Sequence, residues 1–290
     1  MQCAPPTGNL KHMRRRIEGR GTGFQAMRLL IWLLILAPWS AGRCEAPGAA
    51  VAAFNSYTAK VEARLAEQRR SANGFVASGE SNDSKAARLR KGDLIIDKLT
   101  PTRETELPGA LLHDWRGAAF VRGVTVADFE RLMKNFDAYP QRFSPQVSEA
   151  KILTKQGGGD PSHFTVSIRV RQHHVITVVM DTTYDVTFER LDAQHAYSIS
   201  RSMRVSEIGS PGTAKEHALS GSEEHGFLWR LNTYWSCEER DGGLYVQIES
   251  LSLTRSIPAG LGWVIRPFVE SVPRESLEFT LHAVCNALRK

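Results

Sequence analysis

The 290-residue sequence predicts an α+β domain in which a curved antiparallel β-sheet wraps around one long C-terminal helix, with a helical extension in front of it. Three observations carry this. Segments from Val147 to Arg255 alternate apolar and polar residues at the two-residue period of strands. Turn signals at Gly157 to Asp160 and Asp241 to Gly243 fall between strand candidates, as in an antiparallel meander. Beyond Pro273, the residues Leu277, Leu281, Val284, Cys285 and Leu288 share one helical face.

Residues 1–46 read as a secretory signal. Lys11, Arg14, Arg15, Arg16, Arg20, Arg28 and Arg43 accompany the apolar run Leu29 to Leu36, with Pro38 and the small residues Ser40, Ala41 and Gly42 behind it. Leu29 to Trp39 is shorter than the about 20 apolar residues of a spanning helix. The expectation is export to the periplasm or medium, or membrane anchoring if the segment stays uncleaved. Gly42 and Ala46 are both candidates for the last residue removed, and Met27 would serve as a start, with residues 1–26 an over-long reading of the gene.

Residues 47–91 read as a helix and linker. Phe54, Tyr57, Val61 and Leu65 recur at helical spacing, and Ser71 to Lys91 is rich in Ser, Asn, Gly and charge. Asp93 to Leu99 and Leu111 to Val121 are strand-like. Thr125, with Asp128 three residues on, reads as the cap of a helix carrying Phe129, Leu132, Met133 and Phe136 on one face and ending before Pro140. Strands follow over Val147 to Lys155, His163 to Arg171, Val175 to Leu191, His195 to Ile208, Phe227 to Glu239 and Leu244 to Arg255. The C-terminal part is helical from Gly260 to Val269, and again from Pro273, which reads as a first helical residue.

The pI near 9.2 and net charge of +6 invite a nucleic-acid reading. Seven of the basic residues but only two acids, Glu18 and Glu45, lie in the first 46 positions. The remaining 30 basic and 29 acidic residues leave a net +1, which removes most of the case for a nucleic-acid electrostatic footprint.

Alternation puts Phe164, Val166, Ile168 and Val170 on the inner face of the sheet. It does the same for Ile176, Val178, Met180, Thr182, Tyr184, Val186 and Phe188, and for Phe227, Trp229, Leu231, Thr233, Trp235 and Cys237. A long aromatic inner face gripping one helix leaves room for a cavity. Arg230, Asn232 and Tyr234 then face solvent. Three stretches resemble the START-like, or Bet v 1-like, helix-grip superfamily of lipid-transfer START domains, coenzyme Q-binding proteins and polyketide cyclases. They are Val124 to Leu132, the aromatic stretch Phe136 to Pro145 leading into Val147 to Leu153, and Gly260 to Leu281. The resemblance covers residues 92–290 and implies a pocket for a hydrophobic ligand.

The row Tyr197, Ile199, Arg201, Met203, Val205 is otherwise apolar, so strict alternation points Arg201 into that cavity. A ligand carboxylate or phosphate would satisfy it there; a bulged strand, or a protein acid such as Glu249, is the alternative. The expected lining is Phe164, Ile168, Met180, Tyr184, Trp229, Trp235, Leu277 and Leu281 around Arg201. Cys237 and Cys285 are either a bridging pair or two small buried side chains. Leu261 to Phe268, very apolar where helix-grip proteins admit ligand, either touches a membrane transiently or is a buried helix start.

No glycine-rich phosphate loop, zinc-spaced Cys pair, paired-His helix motif or Gly-x-Ser-x-Gly elbow occurs, and no cofactor is called for. His173 and His174 are adjacent and point to opposite faces of a strand. The expectation is therefore non-catalytic binding or transport of a hydrophobic ligand. The alternative is a cyclase- or aromatase-like enzyme using His113, Tyr184 or Arg201 in the same cavity.

Overall fold

The computed structural model describes residues 45–71, 82–100, 106–157, 159–173, 177–257 and 262–289, and the side chains of all of these except 82–83, 106 and 262–270. Residues 1–44 of the signal segment, Ile176 and the apolar stretch Leu261 to Phe268 therefore fall outside the described side chains.

Helix α1 (Gly48–Arg70) comes first, followed by α2 (Asn82–Arg90), β1 (Ile95–Lys98), β2 (Glu106–Leu107) and β3 (Ala110–Arg122). Next are α3 (Val126–Lys134), a 3-10 turn at Phe136–Ala138 and α4 (Tyr139–Arg142). The strands β4 (Val147–Gln156), β5 (Ser162–His173), β6 (Thr177–Arg190), β7 (His195–Gly209), β8 (His217–Ala218), β9 (Arg230–Arg240) and β10 (Gly243–Arg255) lead into α5 (Gly262–Leu288). All pairings are antiparallel, in the order β1-β3-β10-β9-β7-β6-β5-β4, with β2 on β3 and β8 on β7. This is the helix-grip arrangement that the sequence predicts.

Helix α3 starts where its sequence says it should. The Asp128 amide donates to Thr125 Oγ1 at 3.2 Å and the Thr125 amide donates to Asp128 Oδ2 at 3.0 Å, a reciprocal box that satisfies two otherwise orphaned donors. Its apolar stripe, Val126, Phe129, Leu132 and Met133, is buried against the concave core. Gly117 on β3 explains how α5 comes so close to the sheet. A Cβ there would lie 2.5 Å from Leu281 Cδ1 and 3.3 Å from Leu277 Cδ2. A side chain at that position would therefore push the helix away.

The segment Ser71 to Lys91, expected as a linker, contains α2. Its Ala86 and Leu89, three residues apart, are buried against Ala118, Phe120 and Tyr245. Two apolar residues in a charged segment are too faint a stripe to read as a helix. The C-terminal helix is likewise one element passing through Pro273, not a new helix beginning there.

The convex face of the sheet is covered as well. Helix α1 lays Ala50, Phe54, Val61 and Leu65 over Ala110, Leu112, Tyr234, Leu251 and Leu253. Burying Phe54 and Leu65 contributes about 1.5–3 kcal/mol apiece. The central strands β3, β10 and β9 are thus buried on both sides. Tyr234 and Asn232, expected to face solvent, lie beneath α1 at 1% and 4% exposure.

Candidate functional site: a cavity under the C-terminal helix

The concave face of the sheet, α5 and the turn after α3 bound a cavity of about 280 Å³. Its two walls differ in chemistry. On one side the turn and strands β5 and β6 present Phe136, Phe143, Ile168, Met180, Val186 and Phe188. Aromatic contacts fix this wall, with the Phe136 ring 5.0 Å from Tyr139, 5.5 Å from Phe164 and 6.3 Å from Phe188. On the other side, β7, β9 and β10 present the hydroxyls of Ser198, Ser200, Thr233, Ser250, Ser252 and Thr254 among Leu231, Trp235 and Ile248. Ser276, Leu277 and Phe279 on α5 close over both.

No Asp, Glu, Lys, Arg or His occurs among the described lining residues. The two lining tyrosines are engaged. Tyr139 donates its hydroxyl to the Met133 carbonyl at 2.7 Å, and burial pushes its pKa up. Burial pushes Tyr184 up to about 12, against a smaller opposing effect of its bond with Thr182. Both are neutral phenols at physiological pH.

His113 lies beside this wall, on the same face of the sheet. It pairs in register with Ser252 on the concave face, and its Nε2 is 3.3 Å from Thr254 Oγ1. The residue is 1% exposed, and Nδ1 is buried without a hydrogen-bond partner. Burial, helped by the Lys98 charge, pushes its pKa down to about 4, so the imidazole is neutral.

Phe227 and Leu228 also line the cavity, and Phe227 is 40% exposed. The buried Glu207 carboxylate fastens this segment. It accepts from the His225 amide, from His225 Nδ1 and from the Phe227 amide, each at 2.9 Å. The His225 ring stacks on Phe227, with centroids 5.2 Å apart. Residues 227–229 therefore form a held segment, and β9 begins only at Arg230.

Of the side chains expected to line the cavity, Ile168, Met180, Tyr184, Trp235 and Leu277 do so. Phe164 and Leu281 sit in the same core, one layer away from the lining. Trp229 does not join them. It packs in the cluster beneath α1 with Phe54, Tyr234 and Leu251.

Arg201 is also absent from the cavity, because its whole row with Tyr197 and Ile199 lies on the convex face. Its Nε donates to Glu62 Oε1 of α1 at 2.7 Å, on the convex face. The concave residues of β7 are Ser198 and Ser200, and a register shift follows Arg201, where Tyr184 pairs with Ser202 but Thr183 with Arg204. Met203 sits in that bulge, 61% exposed. Cys237 and Cys285 are free buried thiols, which removes the bridge and keeps the packing role. Burial pushes Cys237 up to about 12.

The hydroxyls are what sequence reasoning missed. In Ser250-Leu251-Ser252-Leu253-Thr254 the leucines look like the inward residues, yet they face α1 and the hydroxyls face the cavity. The signal that identifies the face of the leucines is α1 itself, an amphipathic helix in need of an apolar surface to cover.

No family model matches the chain, and no curated protein matches it. Solved structures of START-like fold are similar to it. A START superfamily protein from Mycobacterium smegmatis aligns at 14% identity and a TM-score of 0.39, over 61% of this chain and 97% of that one. A STAR-related lipid transfer protein from Xanthomonas axonopodis aligns at 17% and 0.39, over 67% and 99%. The Zhui aromatase/cyclase from Streptomyces aligns at 13% and 0.41, over 61% and 94%. These are likenesses of fold; ligand and chemistry have to be argued from the cavity.

Proposed function

We propose that this protein binds and carries a hydrophobic small molecule in the cavity beneath α5, and that it does so after export. The observation that carries the reading is the cavity itself, about 280 Å³ with an aromatic wall built from Phe136, Phe143 and Phe188. The Arg-rich start and the Leu29 to Leu36 run support export. Cyclase-type chemistry in the same cavity is the second reading, on the observation that the neutral imidazole of His113 abuts the lining residue Thr254. Native mass spectrometry of protein recovered from the periplasm or medium tests the carrier. Co-purification of one hydrophobic compound, returned unchanged, is the expected result. Recovery of a transformed product that depends on His113 favours the enzyme instead.

A further inference from the structure

The division of the cavity into two walls says more about the ligand, provided that the cavity is a binding site. Register places Ser200 opposite Thr233, and Thr233 opposite Ser250. Directly opposed residues of an antiparallel pair project from the same face, so the three hydroxyls form one row across β7, β9 and β10. With strands about 4.8 Å apart, the row runs for roughly 10 Å across the cavity floor. Ser252 and Thr254 extend it along β10. Each hydroxyl donates one hydrogen bond and accepts others, so the row can answer a hydroxyl or a carbonyl equally well. It cannot neutralise an ion, because the described lining carries no charged side chain and Arg201, the expected counter-ion, is bonded to Glu62 on the far face. Burying a carboxylate or phosphate there without a cation would be costly.

We infer that the ligand is an uncharged hydrophobe bearing neutral oxygen, its apolar side against Phe136, Val186 and Phe188 and its oxygen on the Ser200–Thr233–Ser250 row. The nearest competing arrangement involves Lys98, which pairs in register with Trp115 at the sheet edge and would recruit an anion there.

Calorimetric titration at pH 7 with naphthalene, 2-naphthol and 2-naphthoate, three probes on one skeleton, separates these cases. The naphthol should bind about fivefold more tightly than naphthalene, the worth of one hydrogen bond, and about tenfold more tightly than the naphthoate. Thr233→Val and Ser250→Ala, both conservative in shape, should each bring the naphthol down towards naphthalene while leaving naphthalene unchanged. Naphthoate binding as tightly as naphthol, or being lost on Lys98→Met, overturns the inference but leaves the carrier reading standing. So does naphthol binding that ignores both hydroxyl deletions. Failure of all three probes to bind, with no hydrophobic compound recovered alongside the purified protein, overturns the carrier reading itself.

Discussion

Arg201 Nε lies 2.7 Å from Glu62 Oε1, and the same carboxylate oxygen accepts the Tyr234 hydroxyl at 3.0 Å. One acid of α1 thereby ties the helix to β7 and β9 on the convex face. The arginine is committed to the clasp rather than to a ligand. Arg201→Met is expected to leave affinity for the cavity ligand unchanged. Because the Arg201 and Glu62 side chains are 42% and 27% exposed, the substitution should lower stability by only about 1 kcal/mol. Ligand titration and thermal melts on the same variant check both halves. A tenfold loss of affinity would return Arg201 to the site.

The clasp contains a second acid with an unusual titration. Asp114 is 1% exposed and accepts the Tyr57 hydroxyl at 2.9 Å. Burial first, then the nearby Glu249 charge, raises its pKa to about 7. The folded state therefore holds a proton that the unfolded chain has released above about pH 4. The sign follows directly: this contribution stabilises the protein at low pH and is lost as pH rises from about 4 through 7. Asp114→Asn keeps the Tyr57 bond and removes the titration. Melting curves from pH 5 to pH 8 should show a shallower decline for the variant, and the variant should be the more stable protein at pH 8. Parallel curves would contradict the assignment.

Glu249 is 0% exposed and is paired with Arg64 and with Arg116, whose Nη2 donates to it at 2.9 Å. Arg116→Ala leaves Glu249 to Arg64 alone and orphans the buried Oε2, so it should cost about 1–3 kcal/mol. Chemical denaturation measures this. A loss below about 1 kcal/mol would mean that Arg116 does not secure the Glu249 carboxylate.

At Gly117 the expectation concerns the grip itself. Adding a methyl group 2.5 Å from Leu281 Cδ1 forces α5 or that side chain to shift. Gly117→Ala should therefore cost about 1–3 kcal/mol, and Gly117→Val more. Denaturation midpoints would show it, with no change counting against the close approach.

Much of this architecture could be read from periodicity. The cap at Thr125, the inner row from Met180 to Phe188 on β6 and the face of Leu277 and Leu281 all follow from spacing, because each of these elements has one buried side. Periodicity alone does not settle a strand that is buried on both sides. On β7 and β10 the apolar residues Ile199, Leu251 and Leu253 serve α1, while the cavity side carries serines and threonines. Alternation fixes which residues share a face, but when helices cover both faces polarity no longer says which one is inside. The row of Arg201 takes the other face for this reason, whereas Trp229 departs from its own row, whose Leu231, Thr233 and Trp235 do line the cavity, because it precedes β9. Sequence spacing also could not reveal the bulge at Met203, since it depends on the pairing with β6.

An experimental electron-density map of protein purified without detergent tests the central claim most directly. The expected result is continuous density of an uncharged, compact molecule between Phe136, Trp235 and Leu277, with its oxygen against Thr233 and Ser250. A cavity closed by those side chains, or an anionic group bound there to a cation, would contradict it.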